Sequence, residues 1–182
     1  ASIADRHRRL TWLAPSRDET STGPVVTPEA AEIWAASDVD QPHDDAAPAS
    51  IQGGRERGLI LHKLLEEVLT GETPDDVASL TERAQVLITA IDKPVADDPA
   101  QGLSPAELAG CVARTLALPE ITELRPTLAP ELPVYASAFV DDLEQATAGI
   151  ADAISFGPDG KPRVVIDWKS DVQPTPEIIE HY

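Results

Sequence analysis

Two aspartates and a lysine in the last third of the chain have the residue types and spacing of a site for a hard metal ion. Asp152 lies in one apolar stretch, and Asp167 and Lys169 lie in the next. Carboxylate oxygens bind Mg²⁺ or Mn²⁺ and leave positions open for water and for a phosphate oxygen. A lysine ammonium orients the attacking water or stabilises the negative charge that develops. These three residue types therefore indicate metal-dependent hydrolysis of a phosphodiester.

A β-hairpin is the element that would bring the three side chains together. Residues 147–169 predict two antiparallel strands joined by a turn at Gly157–Gly160. If Phe156 pairs with Arg163, the same register places the two aspartates opposite each other, with the lysine on their face. Because both strands are apolar on both faces, we expect them to be central in a sheet, where an unpaired cluster of charges would be costly.

A surface ion pair is the alternative interpretation of these residues. Lys169 could pair with Asp167 or with Asp152 on a solvated sheet, since exposed ion pairs are common and contribute little to stability. The apolar neighbours on both strands favour the functional interpretation.

Helices are expected to precede the hairpin and to support it. Apolar residues at helical spacing predict three helices, over about 55–69, 74–91 and 105–118. Gly71 ends the first helix, Thr73-Pro74 caps the second, and Ser104 with Glu107 forms a capping box on the third. Cys111 lies among leucine and valine positions of the third helix, so we expect it to be buried.

From Glu131 the period changes to that of a strand, and the hairpin follows. The sequence therefore predicts an α+β domain over 51–182, with N-terminal helices and then a three-stranded, mainly antiparallel sheet that carries the site. Residues 1–50 predict an extended, flexible segment with one short helix behind Thr27 and an acidic linker over 37–50. A last helix begins at Thr175 and stops at Tyr182, so we expect a fragment of a longer protein.

Composition narrows the class of protein. Hydrophobic residues at 42% and charged residues at 25% are typical of a soluble domain, and no apolar run is long enough to span a membrane. We expect a cytoplasmic protein, since no secretion signal begins the sequence. Cys111 is the one cysteine, which excludes an iron–sulfur cluster. The net charge of −18 argues against a free-standing nucleic-acid binder, though not against a module that works beside basic neighbours.

The order Gly149-x-x-Asp152, then apolar-Asp167-Trp168-Lys169-Ser170, resembles the core of the PD-(D/E)xK nuclease superfamily. It is most similar to the nuclease domains that follow the UvrD-like helicase domains of the RecB and AddA type. An upstream Arg57-Gly58 with a following His62 matches the same pattern, and so does a glutamate that opens the first strand. The resemblance spans residues 55–182 and implies an α/β/α-like core of the restriction-endonuclease kind. Trp168 stands where the family usually has tyrosine.

The resemblance implies roles for particular residues. Asp152, Asp167 and Lys169 would be catalytic, with Lys169 positioning the water that attacks in line. Mg²⁺ or Mn²⁺ would be held by His62, Asp152, Asp167 and the backbone carbonyl of Trp168. Taken alone, His62 would be an ordinary packed helical histidine.

Two glutamates are further candidates for this site. Glu131 belongs either to the site or to a strand-end surface, and Glu66 either orients the His62 ring or faces solvent.

The resulting expectation is a magnesium-dependent DNA nuclease domain for double-strand break repair and recombination. Its partners would be DNA, the helicase domains of the same full-length protein and a second helicase–nuclease subunit. The chain has no P-loop motif, so ATP would act only in the helicase portion. The alternative is a catalytically inactive nuclease-like module that docks to a helicase complex. A different metal-dependent phosphodiesterase is a third interpretation.

Overall fold

The computed structural model describes residues 10–13, 51, 53–140 and 143–172. Its elements in chain order are β1 (Leu10–Leu13), α1 (Arg55–Thr70), α2 (Val77–Ala90), α3 (Pro105–Leu116), α4 (Pro119–Leu124), a 3-10 turn (Arg125–Thr127), β2 (Leu128–Val140), β3 (Leu143–Phe156) and β4 (Pro162–Ile166). The chain divides into two units, one of residues 1–39 and 132–151 and one of residues 40–131 and 152–182. Every residue proposed for chemistry lies in the second unit.

Helices followed by three antiparallel strands confirm the predicted α+β class. β3 lies beside β2 and pairs antiparallel with β4. A further strand, β1, pairs parallel with the start of β3, where Leu10 lies opposite Glu144. Sequence analysis does not predict β1, because four residues without a sustained period give no strand signal.

The predicted hairpin register is correct beside the site and wrong at the turn. Ala153, Ile154 and Ser155 pair with Ile166, Val165 and Val164, as the prediction requires. A bulge after Ser155 then places Phe156 opposite Pro162 and not opposite Arg163. The turn needs a glycine at position 160, where φ is +71°.

The expectation that both strands are central is wrong for β4. Val165 is 66% exposed, and only the last residue of the strand, Ile166, is half-buried. The short apolar run Val164–Ile166 does not distinguish a buried strand from an exposed one, because burial depends on what packs against it.

The core of the second unit lies between the helices. Apolar residues at i, i+3, i+4 and i+7 of α1 pack against α2 and α3, as the periodicity predicts. The buried cluster contains Ile60, Leu61, Leu64, Leu65, Val68, Leu80, Ala84, Ile88, Leu108, Ala109, Val112, Leu116 and Ile121. Ile166 and Trp168 pack against it, so the end of β4 and the residues after it are anchored on the helices.

The predicted helix caps need correction. Gly71 ends α1 in a left-handed conformation with φ +82°, as predicted. α2, however, is capped by Asp76, whose carboxylate accepts from the Ser79 amide at 3.0 Å, and not by Thr73-Pro74. The Thr73 hydroxyl instead donates to buried Glu67.

The predicted capping box at the start of α3 is also wrong. Ser104 occupies the N-cap position of α3, but its side chain makes no capping hydrogen bond. Glu107 binds Arg57 instead of the backbone at the start of the helix. A buried ion pair outweighs the local cap here. α3 ends at Leu116, and Cys111 is half-buried rather than buried.

Three predicted features lie outside the described residues: the short helix behind Thr27, the acidic linker over 37–50 and the helix that begins at Thr175. Among the helices that the structure describes, none has the length and apolar character to cross a membrane.

Replacing Leu80 by alanine should destabilise the second unit. Leu80 is fully buried on α2, so its loss removes apolar contacts and leaves a cavity. We expect the free energy of unfolding to fall by about 2–5 kcal/mol in urea titrations. Val86→Ala on the same helix is the control, because Val86 is 54% exposed, and it should change stability by about 0.5 kcal/mol or less. Equal losses in the two variants would contradict the helical core.

Candidate metal centre

Three side chains from different elements meet at one point of the second unit. His62 from α1, Glu131 from β2 and Asp152 from β3 each offer a ligand atom, and these atoms lie within 4.8 Å of one another. All three residues are half-buried. The sequence positions are far apart, so the helix and the two strands must all be in place before the cluster exists.

His62 lies beside the buried leucine stripe of α1 and contacts two partners through its ring. Nε2 lies 3.0 Å from the Trp168 carbonyl oxygen, and Nδ1 lies 3.5 Å from Asp152 Oδ1. A carbonyl only accepts, so the hydrogen of that bond belongs to Nε2. In the neutral ring, Nδ1 then presents a lone pair toward a carboxylate oxygen. A proton on Nδ1 makes that approach favourable, and a cation beside the Trp168 carbonyl would take the place of the Nε2 hydrogen.

Asp152 holds the backbone of Trp168 from the other side. Its Oδ2 accepts from the Trp168 amide at 2.6 Å, just beyond the last β3–β4 pair. The main chain of Trp168 is therefore bonded at its N–H by Asp152 and at its carbonyl by His62. This arrangement fixes the Trp168 carbonyl next to the carboxylate.

The two partners shift each other's titration. Burial raises the pKa of Asp152, but hydrogen bonds from His62 and from the Trp168 amide outweigh it, with the His62 charge, and the pKa is lowered. Burial lowers the pKa of His62, but the hydrogen bond and charge of Asp152 outweigh it, and the pKa is raised. The protonated ring and the ionised carboxylate thus stabilise each other.

Glu131 has an unfavourable backbone conformation, and its carboxylate lies in an environment that disfavours the charged form. Its φ of +49° is left-handed, a conformation that costs a non-glycine residue about 1–3 kcal/mol. Burial raises the pKa of its carboxyl, and the negative charges of Asp152 and Glu66 add to the increase. A backbone outlier and a repelled carboxylate at one residue are typical of a functional site.

Asp167 and Lys169 lie at the rim of this cluster. Lys169 Nζ is 2.8 Å from Asp167 Oδ2, and the two side chains are 44% and 66% exposed. Asp167 is the smallest of the influences that lower the pKa of Asp152, and it does not belong to the group of converging ligand atoms. The structure therefore places Asp167 beside the cluster, in an ion pair with Lys169.

Glu66 lies one helical turn after His62 and binds Lys63 at 2.8 Å. Its charge reaches the cluster only as one cause of the raised pKa of Glu131. Glu66 therefore adds negative potential, and its ion pair is with Lys63 and not with the His62 ring.

Sequence analysis did not predict two features of this region. Nothing in the sequence signals the left-handed backbone of Glu131. The second feature is the burial of Arg57 and Glu107 as an ion pair. A signal for it exists, because Arg57 falls on the apolar stripe of α1, four residues before Leu61, where an unpaired charge would be costly.

The residues present fit a divalent cation. Two carboxylates, one imidazole and one carbonyl are oxygen-rich donors, which suit Mg²⁺ or Mn²⁺ better than zinc. A cation among them would also offset the repulsion between Glu131 and Asp152. Exposed acidic groups often cluster without a metal, but here the donors are half-buried and converge.

No protein-family model matches the chain, and comparisons with curated proteins and with solved structures found no match either.

Glu131→Gln should stabilise the metal-free protein at neutral pH. The folded-state pKa of Glu131 is raised, so its contribution to stability is full below about 4.5 and is lost as pH rises through the higher folded value. The glutamine variant avoids that loss, so its melting temperature should exceed that of the wild type by an amount that grows with pH. Glu123→Gln, at an exposed position of α4, is the control and should show no such trend. A melting temperature below that of the wild type in metal chelator would refute the expectation.

The metal-free protein should also lose stability as His62 deprotonates. The folded-state pKa of His62 is raised, so its contribution is complete below 6.5 and disappears as pH rises through the folded value. Urea titrations across this range should show a decline in the wild type that is missing in His62→Gln. Mn²⁺ affinity should rise over the same range, because the proton and the cation compete for the ring. Parallel pH profiles of the two proteins would contradict the assignment.

Proposed function

We propose that this chain is a Mg²⁺- or Mn²⁺-dependent DNA nuclease domain that hydrolyses phosphodiester bonds. The observation that carries the proposal is the convergence of His62, Glu131 and Asp152 with the Trp168 carbonyl beside them. The order of these residues in the chain is also the order in the RecB- and AddA-type nuclease domains that the sequence resembles. On that resemblance, the domain acts in double-strand break repair as part of a helicase–nuclease.

The chain's own residues have separate tasks in this proposal. His62, Glu131, Asp152 and the Trp168 carbonyl hold the cation, which when bound polarises the phosphate and favours deprotonation of the attacking water. Asp152 also holds the Trp168 amide, which keeps the carbonyl in place. Asp167, which the family resemblance makes a further ligand, lies at the rim in an ion pair with Lys169 and would have to leave that pair to join them.

Lys169 supplies the positive charge near the phosphate. Its side chain is 44% exposed, so it is accessible to DNA. Its pair with Asp167 is solvated and costs only about 0–1 kcal/mol to exchange. Lys169 can therefore turn from the aspartate to a phosphate oxygen or to the attacking water at little cost.

The net charge of −18 bears on how DNA reaches the site. An acidic surface repels the phosphate backbone and weakens non-specific binding. We propose that basic helicase domains of the full-length protein and a partner subunit deliver the strand. This division of labour explains an acidic domain with a phosphodiesterase centre.

A non-catalytic docking module is the second candidate function. The specific observation in its favour is the 2.8 Å ion pair between Asp167 and Lys169 at the rim, which is the geometry of an ordinary surface salt bridge. Calorimetry with Mn²⁺ separates the two functions. Binding that disappears in Asp152→Asn supports the nuclease, and no binding by the wild type supports the docking module.

Substitutions at the centre should abolish DNA cleavage. Asp152→Asn replaces a negatively charged metal ligand by a neutral one, and Lys169→Ala removes the ammonium group. We expect each to lower Mg²⁺-dependent cleavage of linear DNA by about 100-fold or more. Lys161→Ala, at an exposed turn position, is the control and should cleave like the wild type. The assay belongs on the full-length helicase–nuclease, and wild-type rates in both centre variants would disprove the proposal.

A further inference from the structure

We propose that Arg57 is a positioning residue of the metal centre. Together with Glu107 it holds the segment Trp168–Ser170, whose first residue presents its carbonyl to the cluster. The inference rests on the proposed metal site but concerns a residue that touches neither the cation nor the substrate.

Arg57 links three parts of the second unit. Its Nε and Nη2 donate to the two carboxylate oxygens of Glu107 at 3.3 and 2.7 Å. Its Nη1 donates to the Ser170 carbonyl at 2.8 Å. One guanidinium thus joins the start of α1, the first turn of α3 and the segment after β4. Only arginine has donors in a geometry that satisfies a carboxylate and a carbonyl at once.

The burial of this pair makes it rigid. The side chains of Arg57 and Glu107 are only 7% and 10% exposed. Charge-assisted bonds away from water are short and directional, and breaking one partner leaves the other charge uncompensated. The pair therefore holds the Ser170 carbonyl more firmly than a solvated lysine would.

The segment needs such a restraint because the sheet does not provide one. β4 ends at Ile166, so residues 168–170 have no ladder bonds. The Trp168 amide and carbonyl are held by Asp152 and His62, and the Ser170 carbonyl is held by Arg57. Of these three hydrogen bonds, only the last involves no side chain of the cluster, and it adds to the packing of Trp168 against the helical core.

Gly58 allows the segment to approach α1. A β-carbon built at Gly58 would lie 2.8 Å from Ser170 Oγ and 3.7 Å from Ser170 Cβ, so a larger residue here would force the hydroxyl to rotate away from α1. The helix thus has an arginine that binds the segment and, next to it, a glycine that makes room for it. A role of Arg57 that is limited to joining α1 and α3 explains neither its bond to the Ser170 carbonyl nor the space that Gly58 leaves for Ser170.

A second ion pair in the same unit provides a matched control. Arg83 binds Glu67 through Nε and Nη2 at 2.7 and 2.6 Å, also in a bidentate arrangement. Glu67 is 2% exposed and Arg83 is 36% exposed, and this pair joins α1 to α2 rather than to residues 168–170. Loss of this pair should reduce stability without moving the segment.

The test compares Arg57→Lys with Arg83→Lys in the full chain. The first readout is Mn²⁺ affinity by calorimetry, at a temperature where both variants are folded. We expect Arg57→Lys to weaken it by about 10- to 100-fold, the usual effect of losing a partner that orients a metal ligand, and Arg83→Lys to leave it unchanged. The second readout needs no metal: amide hydrogen exchange at Trp168 should become faster in Arg57→Lys alone.

The outcomes separate this inference from the proposed function. If the wild type does not bind Mn²⁺, the proposed function fails, and exchange at Trp168 alone then decides whether Arg57 positions the segment. If the two arginine variants behave alike in both readouts, the inference is overturned. Glu107→Gln and Glu67→Gln form a milder pair that repeats the comparison if Arg57→Lys does not fold.

Discussion

The main chain of Trp168 is the point on which the candidate site depends. Asp152 accepts from its amide and His62 donates to its carbonyl, so the two peptide groups of one residue fix a carboxylate and an imidazole at the same time. The two side chains also face each other at 3.5 Å. Glu131 adds a second carboxylate that burial and Asp152 both disfavour in its charged form. The result is a half-buried place with more negative charge than its protein neighbours neutralise, which is the electrostatic condition for holding a cation.

The helices explain how such a place can persist. α1 has two roles, because its leucines form the core while His62 lies beside them on the next face. The buried stripe fixes the rotation of the helix about its axis, since turning it would expose the leucines. That rotation in turn fixes the direction of the His62 ring and places Arg57 toward α3 and Ser170. The stability of the core and the geometry of the site are therefore properties of one helix.

Much of this arrangement follows from the sequence. The parts that do not follow from it still have physical causes that can be identified. Periodicity locates α1 and its end at Gly71, because both depend on local spacing and on a left-handed cap. The hairpin register beside Asp152 is also correct, since the strand period leaves few alternatives. The cap of α3 is wrong because Glu107 has a better partner fifty positions away in the chain. The exposure of β4 depends equally on contacts that no local pattern contains.

The sequence suggests which residues belong to the candidate site, but it does not predict which of them lie next to one another. The spacing along the hairpin places Asp152, Asp167 and Lys169 on one face, and nothing in that spacing predicts that Asp152 lies apart from the other two. The structure ends the β4 ladder at Ile166, so the peptide of Trp168 turns toward Asp152 and leaves Asp167 with Lys169 at the rim. The bulge between Ser155 and Phe156 has a further consequence for this hairpin. It confines the irregular pairing to the end near Gly157, so the length of the turn is decoupled from the alignment next to Asp152. Loop insertions or deletions between Gly157 and Lys161 can thus accumulate over evolution, or accept a peptide label, without changing which residues meet at the centre.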